Sequence, residues 1–256
     1  MTIALDLAGA RIDLEVEGTV PPLLEARYAG FAARSGPARW RLRLHPGPVP
    51  SLAAMSGRAV PAGATVRLEG VEGHGALDVA RRCGDARLDP NLVIADALLL
   101  ATFCLDVLER GGCLLHAAAV EVGGLAHVAP GRSGAGKTTF ASLAASRLSD
   151  ELCAVVPDRA GFRAHGTPWR TGRAGSAPIA AVWTLAWDGE GTEPLPPPLA
   201  LRHLVTNLFL PVTGRSALET AFSACSRVAS AVPFGRLAFR PDSRVDALLS
   251  KPGRPA

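Results

Sequence analysis

The sequence predicts an α+β fold: a mixed sheet in which a β-hairpin feeds a glycine-rich loop, preceded by a small strand-rich region. Three observations predict it. Short runs that alternate apolar and polar residues dominate residues 1–90, the period of half-buried strands. Two apolar runs, CLLHAAAVEV and LAHVA, are separated only by Gly123-Gly124, a two-residue hairpin signal. The second run leads directly into GRSGAGKTT, which an apolar helical segment follows.

Taken in order, residues 3–7 and 11–17 form an opening hairpin around Gly9. Pro21-Pro22 precede a first helix, LLEARYAGFAAR, ended by Ser35-Gly36-Pro37. RWRLRLH is a strand, and a loop rich in Gly, Pro and Ala follows from Pro46 to about residue 63. ATVRLEG, GALDVARR and ARLD are three more strands, completing a domain over 1–90 that carries no chemical motif. Asp89-Pro90 opens a helix over about 91–110, stopped by Gly111-Gly112. The second domain spans 91–256. After the hairpin and its loop come a helix of about three turns, TTFASLAASRL, and strands LCAVV, GFRAHG and PIAAVWTLAW. Pro194 to Pro198 form a rigid linker; LALRHLVTNLF and ALETAFSACSRVASA are helices, GRLAFRP a strand and SRVDALLS a closing helix.

Composition narrows the function classes. With 48% hydrophobic and 20% charged residues, the chain can bury an ordinary core. Net charge is +4, but the basic residues are scattered and few aromatics accompany them, so no nucleic-acid face is expected. The five cysteines are odd in number and form no C-x-x-C; this argues against a disulfide scaffold or a zinc site and suits a reducing cytosol. The N-terminus lacks a basic start followed by an apolar run, so no secretory signal is expected. The longest apolar stretch contains Asp96 and Asp106 and reads as a core helix, so no membrane span is expected.

Gly131, Gly136, Lys137 and Thr138 satisfy G-x-x-x-x-G-K-[ST]. Glycines let such a loop turn its N–H groups onto phosphate oxygens, and the following helix start adds its dipole. Gly131, Arg132, Ser133, Gly134, Ala135, Gly136, Lys137, Thr138 and Thr139 are therefore the expected nucleotide-binding residues, with Lys137 reaching the β- and γ-phosphates and Thr138 binding magnesium. A hairpin, and not a crossover helix, delivers the loop, which argues for a mixed or antiparallel sheet. Asp150 and Glu151 follow the loop helix in LSDEL; one acid could take a proton from an attacking hydroxyl, the other could hold magnesium. A polar turn is the alternative. His116, in the strand before the loop, is placed by the hairpin beside the phosphate site, although a buried structural histidine is the plainer reading.

LLHAAAVEVGGLAHVAPGRSGAGKTTF, LSDELCAVV and GFRAHGTPW together resemble the HPr kinase/phosphorylase superfamily, related in fold to ATP-dependent phosphoenolpyruvate carboxykinase; the resemblance covers about residues 95–250. GTPW and the tail VPFGRLAFRPDSRVDALL resemble the branch found in peptide natural-product clusters. The resemblance implies ATP and Mg2+ on the loop, Asp150 as the catalytic base, Glu151 near the metal with Thr138, and catalytic roles for His116 and Lys137. Arg170 or Arg173 would face the phosphates or the substrate. Three departures limit it: a short loop helix, Glu in place of the second Asp, and no glycine-rich C-terminal signature. The resemblance therefore does not extend to phosphorylase activity, to HPr itself or to the family's hexamer, though it allows a homo-oligomer. The expected function is a cytoplasmic kinase that moves the ATP γ-phosphate to a Ser or Thr hydroxyl of a peptide or small protein. A nucleotide-gated binding module and a small-molecule hydroxyl kinase are the alternatives. The chain has no N-[TS]-K-x-D guanine motif, which favours ATP.

Overall fold

A computed structural model describes residues 1–47, 58–62, 65–69, 75–88 and 91–250. The fold is α+β, with two mixed sheets and six α-helices among the described residues. The chain divides into two compact units, Met1–Asp106 with Leu210–Leu218, and Val107–Phe209 with Glu219–Ala256.

The first unit is built on seven strands: β1 (Thr2–Leu7), β2 (Ala10–Val16), β3 (Trp40–Pro46), β4 (Arg58–Ala62), β5 (Thr65–Glu69), β6 (Gly75–Asp78) and β7 (Cys83–Leu88). Their order is β1-β2-β3-β7-β6-β5-β4, with β2–β3 and β3–β7 parallel and the remaining pairs antiparallel. A parallel pair needs a crossover, and helix α1 (Pro22–Tyr28) lies in the one between β2 and β3. The expected first helix ran on to Arg34; it stops early because the chain is drawn to the sheet, where Ala33 N–H donates to the Ala4 carbonyl (2.8 Å). Leu5, Ile12, Leu14, Trp40, Leu42 and Leu44 are buried, one face of alternating strands. The long helix α2 (Val93–Glu109) supplies Leu98 and Phe103 to the core. Its two aspartates are tied down: Tyr28 Oη–H donates to Asp96, and Trp40 Nε1–H donates to Asp106 Oδ1 at 3.1 Å. Burial holds the Tyr28 phenol well above its ordinary pKa.

Several expectations are corrected here. β4 occupies residues that were expected to be loop, while most of that loop, and the Asp89-Pro90 helix start, lie outside the described residues. GALDVARR is not one strand: β6 ends at Asp78 and a turn with Arg82 in the left-handed region (φ +54°) leads into β7.

The second unit is built on β8 (Cys113–Val122), β9 (Leu125–Pro130), β10 (Arg147–Ser149), β11 (Leu152–Asp158), β12 (Gly161–His165), β13 (Ser176–Ala186), β14 (Gly191–Pro194) and β15 (Phe234–Ala238). β8 and β9 are the expected hairpin, antiparallel from Val122↔Leu125 to Ala117↔Pro130. β8 also pairs with β11, β11 with β12, β12 with β13, and β13 in parallel with β9, so the pairings close into a ring of five strands. β15 and β14 extend from β13 outside that ring.

β8 is covered on both faces. Cys113, Leu115, Ala117 and Ala119 join a core with Ala224, Cys225 and Val228 of α5 (Arg215–Ala231) and Ala200 and Leu204 of α4 (Pro197–Thr206). Ala118 and Val120 face a second core with Phe140 and Ala141 of α3 (Lys137–Leu143), Phe239, and Val245 of α6 (Val245–Ser250). The expected three-turn loop helix is only seven residues long. Arg147 leaves it to pair with Val120 of β8, next to the Ser149–Ala119 pair, so ladder pairing and burial of Leu148 override local helix propensity. No helix among the described residues is long and apolar enough to cross a membrane.

Trp40→Ala should lower unfolding free energy by about 3–5 kcal/mol, read by denaturant titration; a loss under about 1 kcal/mol would show that Trp40 is not an anchor of the first core. His45 stands between Glu17 (2.9 Å) and Asp85 (3.1 Å), and their hydrogen bonds raise its pKa above 6.5. A raised folded pKa stabilises fully below the unfolded value and ceases to do so as pH rises through the folded one. The stability difference between the wild type and His45→Gln should therefore be complete below His45's ordinary value of 6.5 and shrink as pH rises through its raised folded value, from a starting value below about 1 kcal/mol because the pair is solvated.

Candidate functional site

The site is assembled around β8 and the loop that β9 delivers. Odd-numbered residues of β8 face α5, so His116 faces the side on which α3 lies, with its backbone N–H donating to the Asn207 carbonyl (2.8 Å). The His116 carbonyl accepts from Gly131 N–H (3.1 Å), which ties the loop start to this strand. From the other side His203 Nε2 is 2.9 Å from the Pro130 carbonyl; burial lowers the pKa of His203, so the neutral ring donates there.

Within the loop, Ala135 N–H donates to the Arg132 carbonyl (3.1 Å) and closes a turn. Gly136 must be glycine on two counts. Its φ is +95°, and a Cβ there would stand 2.5 Å from Trp187 Cζ2. Lys137 is only 5% exposed, and its Nζ donates to the Gly131 (2.7 Å) and Arg132 (3.0 Å) carbonyls. The ammonium thus clasps the loop that precedes it. Burial is the main cause that lowers its pKa, opposed by the Glu151 charge; Arg170 lowers it further and Asp150 raises it. A cation held short of charge compensation in this way gains from a bound anion.

Asp150 and Glu151 form the bend between β10, which Ser149 ends, and β11. Ser149 Oγ accepts from Glu151 N–H (3.3 Å) and Leu152 N–H (3.2 Å) and donates to the Leu152 carbonyl (2.8 Å). This bend sends the two carboxylates to different places. Glu151 Oε1 is 3.1 Å from His116 Nε2, and Glu151 Oε2 is 3.5 Å from Arg170. Asp150 is 5% exposed and accepts a hydrogen bond from the Thr171 hydroxyl. Arg170 reaches Glu151 from a loop in which its own backbone is left-handed (φ +57°), a conformation that non-glycine residues keep only when their surroundings hold it.

His116, Ser133, Gly134, Gly136, Lys137, Thr138, Thr139, Glu151, Arg170 and Trp187 line one cleft of about 300 Å³. It brings together most of the residues singled out from the sequence. Gly131 and Arg132 take part through their carbonyls to Lys137, and Ala135 through its turn. Asp150 is not among the lining residues; the carboxylate that faces the cleft is Glu151. Arg173 turns elsewhere, to Glu121 (3.3 Å) and Ser146 (2.6 Å).

No protein-family model matches the chain, and no curated protein matches it.

Two participants were not legible from motif reading. Trp187 lies just past β13, in a run that reads only as apolar strand. Thr171 is an ordinary loop residue until the fold sets it against Asp150. Arg170 was legible by position alone, and the ion pair with Glu151 places it in the cleft.

Gly136→Ala should lower stability by about 1–3 kcal/mol, because it combines a left-handed backbone with a collision against the indole. Gly123→Ala shares the left-handed backbone (φ +59°) but has nothing near the new Cβ. Thermal unfolding should therefore show a larger loss for the Gly136 variant; equal losses would mean that Trp187 yields freely.

Proposed function

We propose that the chain is a phosphotransferase that moves the γ-phosphate of ATP to a Ser or Thr hydroxyl on a peptide or small protein. One observation carries the reading: the glycine loop with Lys137 and Thr138 shares a single cleft with His116, Glu151 and Arg170. Loop amides and two cations suit a polyphosphate tail. The loop helix is only two turns long, so the amides and Lys137 are assigned the binding, and the helix dipole is not.

The cleft residues fit a magnesium ion. Thr138 and Glu151 offer hard oxygens in the same space, and magnesium takes few protein ligands beside water and phosphate. When bound, the ion would neutralise charge between the β- and γ-phosphates. His116 and Arg170 would then hold the Glu151 carboxylate in register from either side. Asp150 is assigned the proton. Its partner now is a threonine hydroxyl, the same donor group that an acceptor Ser or Thr would offer. In the reaction the acceptor O–H would give its proton to Asp150, its oxygen would bond to the γ-phosphorus, and the β–γ bridging P–O bond would break, leaving ADP. The sequence resemblance to HPr kinase/phosphorylase proteins supports a hydroxyl on a polypeptide as the acceptor. Two thiols suit a reducing, cytoplasmic setting: burial pushes Cys104 and Cys153 up to about 12, which keeps them inert.

The Asp150–Thr171 bond favours a second reading, a nucleotide-gated binding module that performs no transfer, since it occupies the proposed base. Two variants separate the readings. Lys137→Ala should abolish measurable ATP binding by calorimetry. Asp150→Asn should bind ATP within about threefold of wild type and transfer about a hundredfold or more slowly, followed by mass spectrometry of a Ser/Thr peptide library incubated with ATP and magnesium. Undiminished transfer by Asp150→Asn would remove it as the base, and wild-type binding without any phosphopeptide would favour the module.

A further inference from the structure

The aromatic side chain at the rim of the cleft has a use that the phosphotransfer reading leaves open. Along β13, Ala177 and Ile179 pack into the α5-side core. The register against β9 then shifts between Ile179 and Ala181, and a bulge of this kind exchanges the faces of a strand. Ala181, Trp183 and Leu185 accordingly pack on the α3 side. Trp187 is the next residue of that parity, and it emerges where the glycine loop lies.

Its ring is held in place. Phe239, fully buried, packs against it with centroids 4.7 Å apart at 42°. The Phe239 backbone N–H donates to the Ala186 carbonyl (3.1 Å), which fixes the two residues relative to each other. The indole edge rests on Gly136, where even a methyl group would collide with Cζ2, Cε2 and Nε1. Yet Trp187 remains 45% exposed, whereas Trp40 and Trp183 are buried. A rigid, half-open indole beside a phosphate loop is costly to leave facing water and is well shaped to stack on a flat heterocycle.

We infer that Trp187 is the stacking platform for the nucleobase of the nucleotide whose phosphates occupy the glycine loop. This rests on the nucleotide-binding reading above and adds the ligand's other end. The loop amides and Lys137 hold the phosphates; the base, carried beyond them on the ribose, lies on the indole face. Stacking engages a π-face and not a hydrogen-bonding edge, so it tolerates different bases. Adenine and guanine nucleotides should therefore bind with similar affinity, and the larger purine face should bind better than a pyrimidine.

Calorimetric titration of the full chain with ATP, GTP, CTP and inorganic tripolyphosphate, each with magnesium, tests this on wild type, Trp187→Ala and Trp187→Phe. Trp187→Ala should weaken ATP and GTP by about tenfold to a hundredfold and leave tripolyphosphate within about twofold, while Trp187→Phe recovers most of the loss. Equal weakening of ATP and tripolyphosphate would show that Trp187 only shapes Gly136, and no weakening of ATP would show that the base lies elsewhere; either result overturns the platform. So would wild-type protein that binds tripolyphosphate as tightly as ATP, or CTP as tightly as both purine nucleotides. Wild-type protein that binds neither ATP nor tripolyphosphate would instead overturn the phosphate-site reading itself, and the platform with it. Melting curves followed by circular dichroism confirm that each variant is folded at the temperature of titration.

Discussion

The second unit depends on a strand that has no free side. β8 has hydrogen-bonded neighbours on both edges, β9 on one and β10 and β11 on the other, and apolar layers on both faces. Such a strand must be narrow where helices press on it, and it is: Ala117, Ala118 and Ala119 are all fully buried. The constraint reaches the site directly. Three segments that would otherwise be remote meet on this strand, because β9 leads into the glycine loop, β10 and β11 flank the Asp150–Glu151 bend, and β8 itself carries His116. Widening β8 would separate the glycine loop from the acids before it changed either one.

Charge inside this frame is arranged around Lys137. Lys137 is largely buried, and its ammonium meets two carbonyls of its own loop. The carbonyls take two of its three donors but do not neutralise it, and burial lowers its pKa. Glu151 is the leading opposing influence, yet its carboxylate is itself shared between His116 and Arg170. The cleft therefore holds two cations and one divided anion, an imbalance that a polyanion accompanied by a metal ion would correct. An apolar or cationic ligand would worsen it.

What sequence reading reached, and what it missed, divides along a physical line. Gly123-Gly124 and the alternation of CLLHAAAVEV and LAHVA are local signals, and the hairpin they predict is present residue for residue. The cleft residues of the glycine loop were legible for the same reason, since spacing along the chain sets their backbone. The errors fall where pairing with a distant strand decides the conformation. Arg147-Leu148-Ser149 has helical neighbours on its N-terminal side but becomes β10 because β8 offers it an edge. β14 has a sequence, GTEP, with almost no strand character and exists only beside β15. Trp187 depends on a one-residue register shift eight positions earlier, which no periodicity announces. Without that shift its parity would carry it to the opposite layer.

The step Asp150-Glu151 shows how neighbouring residues of one charge can be given different work. In extended chain, consecutive side chains point to opposite sides, and Ser149 fixes the bend by binding the amides of both Glu151 and Leu152. Glu151 is thereby committed to the open cleft, between His116 and Arg170. Asp150 is turned to a nearly dry position beside a hydroxyl. The separation of the two side chains thus follows from backbone geometry. It also explains why a glutamate can stand at the second position: the longer side chain reaches across the cleft to both of its partners, whereas the shorter aspartate needs to reach only the hydroxyl next to it.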